Sequence, residues 1–176
     1  ENIKTKWVLV VDTDEFIPLT LIKYIDKHLS TYEAQNIEAI WIPRLNHILG
    51  KKLKYSSAWP DYQKRLIRTS KIQFNNQIHN FINISLEEKK LPSNEFFAIK
   101  HYNFESISSY IEKLNLYSTI EVKCSEKQKV NSLEPIIVGI KEFIIRFIKM
   151  KAFLDGSHGF HYSVLLGFYK YLIKLK

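Results

Sequence analysis

Cysteine is almost absent from this chain of 176 residues, since Cys124 is the only one. A single cysteine cannot form an internal disulfide, so we expect no disulfide framework and a reducing compartment. Glycine and proline are scarce, at five residues each, which excludes collagen-like and low-complexity classes. No apolar stretch reaches the roughly 20 residues of a membrane-spanning helix, and the polar residues 1–6 do not form a signal peptide. The sequence therefore predicts a packed cytoplasmic domain.

Arginine supplies only 4 of the 26 basic residues, and the formal net charge is +8. Such a surface attracts phosphate, whether on a nucleotide, an anionic lipid or a nucleic acid. A composition rich in lysine, isoleucine and asparagine also arises from an AT-rich genome, so the charge has two explanations. No nucleic-acid-binding motif is recognisable, and we predict no nucleic-acid partner. The arginines are few enough to be considered singly: Arg44, Arg65, Arg68 and Arg146.

An unbroken apolar run at residues 7–11 precedes a cluster of acids. The run predicts a parallel strand that is buried on both faces. Ligands of open α/β sheets bind beyond the carboxyl ends of such strands, so Asp12, Asp14 and Glu15 lie where a ligand is expected. A buried parallel strand needs neighbours, and we therefore expect that this chain lacks preceding βα units.

The rest of the pattern predicts strands first and helices afterwards. Pro18 opens a helix that continues to about residue 29. Residues 38–44 form a strand, which Pro43 confines to an edge or to the strand's end. The remaining elements predicted are a loop at 46–62, strands at 64–68, 78–84 and 96–102, and helices at 106–124, 135–154 and 162–176.

The acids after the first strand have the D-x-D form, Asp12-Thr13-Asp14. Carboxylates at positions i and i+2 of a turn can both approach one divalent ion, directly or through its waters. Mg²⁺ is typically held by one or two carboxylates together with substrate phosphates, and such an ion offsets the charge that develops on a leaving group. The alternative is a solvated turn in which Asp12 caps the following helix.

The segment W-V-L-V-V-D-T-D-E-F at residues 7–16 resembles the W-I-L-x-L-D-A-D-E segment of family 2 glycosyltransferases, above all their lipopolysaccharide-core branch. Similar matches follow in order: P-R-L-N at 43–46, Gly50, W-P-D-Y-Q-K-R-L at 59–66, I-H-N at 78–80, H-Y at 101–102, and D-G with a later glycine at 155–159. The resemblance implies an α/β fold: a partial glycosyltransferase-A sheet in residues 1–104 that holds the metal and the acceptor, and a helical C-terminal extension in residues 105–176. The N-terminal nucleotide-binding part would be missing.

The family resemblance further implies an inverting, metal-dependent enzyme. It would move a hexose, heptose or similar sugar from a nucleotide-diphosphate donor to a glycolipid or cell-surface polysaccharide acceptor. Asp12 and Asp14 would hold Mg²⁺ or Mn²⁺, and His79 would complete the metal site. Asn80 stands where the family usually has glutamate. His101 is the rival candidate for the histidine ligand.

The donor and the acceptor have their own implied residues. Arg65 would contact the diphosphate, because a guanidinium can bind two phosphate oxygens at once, and Gln63 and Asp12 would also bind the donor. Asp61 would be the base for the acceptor hydroxyl, unless it is a loop aspartate that makes a local turn. Arg44 serves either a substrate or an ion pair.

Three neighbouring side chains have less specific expectations. Arg68 lies an odd number of residues from Arg65, so on a strand it would point to the opposite face, and we expect it at the surface. Trp59 and Tyr62 flank the Pro-Asp pair at 60–61. These two aromatic side chains either stack on a sugar ring or pack within the protein.

The C-terminal residues 136–176 carry seven basic and two acidic residues among many isoleucine, phenylalanine and leucine side chains. A basic amphipathic helix pair suits the surface of an anionic bilayer, which would bring the enzyme to a lipid-anchored acceptor at the inner face of the membrane. The alternative is that the apolar stripe packs against the catalytic part. The rival function is a non-catalytic module that binds a membrane surface or phosphate.

Overall fold

The computed structural model describes residues 4–71, 87–104, 106–123 and 131–176, which form a mixed α/β protein, as the sequence predicts. The strands are β1 (Trp7–Leu9), β2 (Glu15–Phe16), β3 (Ala39–Ile48), β4 (Lys51–Lys52), β5 (Asp61–Arg68), β6 (Glu88–Lys90) and β7 (Ile99–Phe104). The helices are α1 (Leu19–Ala34), α2 (Ile107–Lys123), α3 (Glu134–Ile144) and α4 (Ser157–Leu175). A π-helical turn (Ile145–Lys149) follows α3, and 3₁₀ turns lie at Thr69–Lys71, Glu95–Phe97 and Ala152–Asp155.

The chain divides into two compact units. The first consists of Glu1–Leu45 and Pro60–His101, and the second of Asn46–Trp59 and Tyr102–Lys176. The chain passes from one unit to the other within β3 and again within β7. The second unit thus contains the residues predicted as a helical extension and, in addition, residues 46–59.

The strand order in the sheet is β1-β5-β3-β7-β2, and β4 and β6 also pair with β3. β1 pairs with β5 in the antiparallel direction, with Trp7 opposite Arg68 and Leu9 opposite Leu66, and all three of its residues are only half-buried. The prediction of a parallel strand buried on both faces is therefore wrong. A short apolar run does not specify the direction of its partner, and hydrophobicity alone gave the wrong one.

Strand β3 is longer than predicted and has partners on both sides. It continues to Ile48, and β5 begins at Asp61, so the predicted loop at 46–62 is too long. Pro43 lies opposite Tyr62 within the antiparallel β3–β5 pairing and is fully buried, which contradicts an edge or end position. Proline removes only its own N–H donor and its φ suits an extended strand, so the register continues through Arg44 opposite Asp61.

Helix α1 begins directly after Pro18, as predicted, and ends at Ala34 rather than near residue 29. Proline suits this start because the first N–H groups of a helix have no partner within the helix. Leu21 and Ile25 are buried on the side of α1 that faces the sheet, where they join the core of the first unit. This core also contains Tyr32, Ile37, Ile40, Ile42, Leu66, Leu91 and Ile99.

The second unit confirms the three helical regions near the C-terminus, with changed bounds. The second region divides into α3 and the π-helical turn, and α4 begins earlier than predicted, at Ser157. The core of this unit consists of Ile48, Leu53, Ala58, Phe104, Tyr110 and Leu114. The predicted strand at 78–84 lies outside the described residues, and the strand predicted at 96–102 corresponds to β7.

The D-G pair before α4 has a structural role in the second unit. The buried Asp155 carboxylate accepts hydrogen bonds from the backbone N–H of Lys54 (3.1 and 3.2 Å) and of Tyr55 (2.8 Å). Gly156 follows with φ of +68°, a conformation that favours glycine. A Cβ at Gly159 would collide with the carbonyl group of Ala152, so only glycine fits this first turn of α4.

We predict that Asp155→Ala destabilises the protein by about 2–4 kcal/mol, because the backbone N–H groups of Lys54 and Tyr55 lose a charged acceptor. Urea denaturation of the full chain measures this change. Glu112→Ala is the control, since Glu112 is an exposed acid on α2 of the same unit, and its effect should stay within about 0.5 kcal/mol. Equal denaturation midpoints for Asp155→Ala and Glu112→Ala would contradict a stabilising role for the hydrogen bonds of Asp155.

Candidate active site

The acids after β1 are held in a tight turn that leads into β2. The N–H of Glu15 donates to the carbonyl oxygen of Asp12 (3.1 Å), and the N–H of Asp12 donates to a carboxylate oxygen of Glu15 (3.1 Å). These two bonds close the turn, with Thr13 and Asp14 at its tip. Asp12 therefore does not cap α1, which has Pro18 at its N-terminal boundary.

Glu15 lies at the centre of an ion-pair network in the first unit. Its side chain is completely buried, and its Oε1 accepts a hydrogen bond from Arg44 (3.1 Å) and one from Arg65 (2.6 Å). No individual role for Glu15 was predicted from the sequence. The available signal was its position directly after the D-x-D pair, at the end of an apolar run.

A β-bulge places Arg65 beside these acids. Ile40 lies opposite Leu66 and Trp41 lies opposite Lys64, so Arg65 is the extra residue and has no Cα partner on β3. Bulges of this kind change the direction of a side chain and are frequent next to active sites. Through Nη2, the Arg65 guanidinium pairs with the carboxylates of Asp12 and Glu15.

The surroundings of Arg65 keep its guanidinium charged and paired with carboxylates. Burial lowers the pKa of the guanidinium, but the hydrogen bonds to Glu15 and Asp12 outweigh that effect and raise the pKa above its ordinary value. The side chain is only 7% exposed, and its buried Nε has no hydrogen-bond partner among the described residues. Both carboxylates contact Nη2, so a diphosphate would have to reach another nitrogen of this largely buried guanidinium or displace a carboxylate from Nη2.

Asp61, the predicted base, lies at the start of β5 and belongs to the same network. Its Oδ2 accepts hydrogen bonds from Nε (2.8 Å) and Nη2 (2.7 Å) of Arg44, and its Oδ1 accepts one from Nε2 of Gln63 (2.7 Å). Arg44 thus forms an ion pair, one of the two roles expected for it, and connects Asp61 to Glu15. Gln63 thus contacts Asp61 directly.

His101 is the described histidine that approaches the acids. It lies opposite Glu15 in the β2–β7 pairing, and its Nε2 is 3.4 Å from Oδ2 of Asp14. Burial lowers the pKa of its imidazole below the ordinary 6.5, and the positive charge of Arg44 adds to this effect, while Asp14 and Glu15 oppose it. The neutral ring is competent to bind a metal. His79 lies outside the described residues, as does Asn80.

The charges of the cluster do not balance. Among the described residues, Asp12, Asp14, Glu15 and Asp61 contribute four carboxylates to this network, and Arg44 and Arg65 contribute two guanidinium groups. With a neutral imidazole, this described set has an excess of two negative charges. By itself, such a set favours a cation and disfavours a bare diphosphate.

The two acids of the D-x-D pair are the most accessible part of the cluster. The side chains of Asp12 and Asp14 are 43% and 32% exposed, respectively. No group of three or more histidine, cysteine, aspartate or glutamate side chains within the described residues is arranged to hold a metal ion. Proteins usually hold Mg²⁺ through one or two carboxylates, and substrate phosphates supply further ligands. The two accessible carboxylates nevertheless fit this pattern.

The remaining candidate residues that are described make structural contacts. Arg68 donates to the carbonyl oxygens of Ile37 (2.9 Å) and Glu33 (3.2 Å), and its guanidinium lies over the Trp7 ring. The Tyr62 hydroxyl donates to the carbonyl oxygen of Leu91 (2.8 Å). Both side chains are thus part of the packing of the first unit, and neither contacts the acids.

We predict that Glu15→Gln destabilises the protein by about 3–5 kcal/mol, because it removes the buried charge shared by two guanidinium groups. Denaturant titration followed by circular dichroism measures the change. Asp12→Asn is the matched control, since its partly exposed side chain pairs with Arg65 alone among the described residues. A Glu15→Gln variant no less stable than Asp12→Asn would contradict the central place of Glu15.

We also predict that His101 titrates below pH 6.5 in the folded, metal-free protein, and that Asp14→Asn lowers its pKa further. Because the folded-state pKa is depressed, the unfolded chain binds more protons as the pH falls. The contribution of the neutral His101 ring to the free energy of unfolding is thus fully present above about pH 6.5. It is lost as the pH drops below that value. NMR titration of the ring protons, with urea-unfolded protein as the reference, measures the shift; a folded pKa at or above the unfolded one would contradict it.

Comparisons of this chain with known protein families, with curated proteins and with solved structures found no match. The glycosyltransferase resemblance therefore rests on the motif residues of the sequence alone. What the described residues establish is a mixed α/β protein with a buried ion-pair network and two accessible carboxylates at its surface.

Proposed function

We propose that this chain is the catalytic part of a metal-dependent glycosyltransferase that moves a sugar from a nucleotide-diphosphate donor to a glycolipid or cell-surface polysaccharide acceptor. The observation that carries the proposal is the meeting of separate motif segments in one network. Residues 12–15, 44, 61–65 and 101 are far apart in the sequence and are joined through the side chains of Glu15, Arg44 and Asp14. Short motifs that matched by chance would not be expected to meet in one network.

The excess negative charge of the network supports a metal-dependent mode of donor binding. A diphosphate carries negative charge itself, so it binds next to these acids only with a divalent cation between them. Asp12 and Asp14 are the residues that would hold Mg²⁺ or Mn²⁺, with His101 beside Asp14 as a nitrogen ligand. The ion would offset the charge that develops on the diphosphate leaving group.

Asp61 is the proposed base. The acceptor hydroxyl oxygen forms a bond to the anomeric carbon, the bond from that carbon to the diphosphate oxygen breaks, and the hydroxyl proton passes to the Asp61 carboxylate. The nucleoside diphosphate leaves with the electron pair of the broken bond. Arg44 and Gln63 act as positioning residues, because their hydrogen bonds fix both oxygens of Asp61.

The glycosyltransferase-A sheet and the location at the inner face of a membrane are part of the same proposal. The observed sheet supports the mixed α/β class, and the glycosyltransferase-A assignment rests on the motif residues. A glycolipid acceptor would require the enzyme to work at a membrane surface. The rival, a non-catalytic membrane-binding module, has no need of a site for a divalent cation.

We predict that calorimetric titration with UDP and other nucleoside diphosphates detects binding in the presence of Mn²⁺ and none in the presence of a chelator. Asp14→Asn should weaken the metal-dependent binding by at least about tenfold, because it removes one of two proposed carboxylate ligands. The control is Asp26→Asn, which changes an exposed acid on α1 of the same unit. Failure of every nucleoside diphosphate to bind with Mn²⁺, or equal binding by Asp14→Asn, would contradict the proposal.

A further inference from the structure

Helices α3 and α4 pack against each other through their smallest residues. A Cβ added at Gly139 would lie 3.1 Å from the carbonyl oxygen of Gly167, and one at Gly167 would lie 2.8 Å from the carbonyl oxygen of Gly139. The buried residues of α4 are Gly159, Ser163 and Gly167, at a spacing of four. The two backbones therefore approach closely, with no large side chain between them at these positions.

The large apolar side chains of the same helices point outward. Ile136, Ile137, Ile140, Ile144 and Ile148 are between 47% and 61% exposed and follow one side of α3 and the π-helical turn. On α4, the side chains of Phe160, Val164 and Phe168 are exposed at a spacing of four. We call these eight residues the apolar face. Its existence inverts the usual pattern of a helix in water, whose apolar stripe faces the protein interior.

A shallow groove runs along this face. It has a volume of about 460 Å³, and its lining is almost wholly apolar: Ile136, Ile140, Phe143, Val164, Phe168 and Tyr171, with Gly139 and Gly167 between them. The absence of side chains at the two glycines opens the groove. Its apolar walls match a hydrocarbon chain and provide little hydrogen bonding for a polar ligand.

Lysine residues stand next to members of the apolar face in the sequence, since Lys141 follows Ile140 and Lys149 follows Ile148. Lys141, Lys149 and Lys151 are exposed, and none of them forms an ion pair with any residue in the described parts of the chain. By contrast, Lys170 pairs with Glu121 and Lys174 pairs with Glu134. An apolar surface bordered by uncompensated positive charge is complementary to the headgroups and acyl chains of an anionic bilayer.

We propose that the apolar face of α3 and α4 docks on an anionic lipid bilayer, with its isoleucine and phenylalanine side chains in the boundary between headgroups and acyl chains. Close packing through glycine also suits helices in lipid, where association does not depend on burying apolar side chains between them. No helix in the described residues is long and apolar enough to cross a membrane, so the helices lie in the surface of the bilayer.

Charge favours the bilayer over a second copy of this chain. In a two-fold symmetric contact, the same patch of each copy faces its counterpart, and Lys141, Lys149 and Lys151 of the two copies would be brought together. Like charges at an interface oppose association. Anionic lipid headgroups instead neutralise the same lysines. This surface is also independent of the cation and nucleotide of the proposed transferase, so each can be tested without the other.

Co-sedimentation of the full chain with lipid vesicles tests the docking. We expect binding to vesicles of phosphatidylglycerol and phosphatidylcholine, with weaker binding to pure phosphatidylcholine and at high salt. The double variant Ile137→Gln/Ile140→Gln should bind at least about tenfold more weakly, because it removes two inserted side chains. The matched control is Ile111→Gln/Leu116→Gln on α2, whose side chains are equally exposed in the same unit; it should bind like the wild type.

Asp14→Asn should bind vesicles normally, which separates failure of docking from failure of the transferase site. Circular dichroism of each variant verifies that it folds. The double variant Lys141→Gln/Lys149→Gln provides a second test, because it removes two positive charges. We expect it to lose the preference for anionic vesicles. Unchanged vesicle binding by the Ile137/Ile140 variant would overturn the proposal. A dimer in sedimentation analysis that dissociates in that variant would overturn it too, since a second copy would then occupy the face.

Discussion

The candidate site depends on the ion pairs that the Glu15 carboxylate forms with Arg44 and Arg65. A completely buried charge is tolerated only with partners in place, and removal of one partner is strongly destabilising. Since Glu15 begins β2, Arg44 lies in β3 and Arg65 lies in β5, this carboxylate links three strands of the first unit. The bulge that makes Arg65 the extra residue puts its guanidinium within reach of both Asp12 and Glu15.

Within the described residues, the network leaves Asp12 and Asp14 as its most exposed acids. Glu15 and Asp61 take up the guanidinium charge of Arg44, and Arg65 is divided between Asp12 and Glu15. The remaining negative charge lies at the turn, where Asp12 and Asp14 are partly exposed. The second unit uses charge differently: there, Asp155 is buried and accepts hydrogen bonds from backbone N–H groups, while Lys141, Lys149 and Lys151 form no ion pair with any described residue. The proposed ligand of the first unit is a cation, and that of the second is an anionic surface.

Local features were predicted from the sequence better than the pairing of the β-strands was. Pro18 marked the start of α1 because proline is favoured there irrespective of tertiary context, and the three helical regions near the C-terminus followed from periodicity. The direction of β1 and the position of Pro43 were predicted wrongly, because both depend on partners that are distant in the sequence. The chain indicated the acids and Asp61, but not the network that joins them, since the bulge at Arg65 is a property of the β3–β5 register. Likewise, His101 was ranked behind His79, although β7 brings it next to Asp14.

The proposed function depends on the binding of a divalent cation by Asp12 and Asp14, next to His101. Paramagnetic broadening of histidine ring resonances by Mn²⁺ tests it most directly, because broadening falls steeply with distance from the ion. Substoichiometric Mn²⁺ is expected to broaden His101 before His28, which lies on α1 of the same unit, and Asp14→Asn is expected to abolish this selectivity. Equal broadening of the two histidines, or selective broadening that persists in Asp14→Asn, would contradict a metal site at this turn.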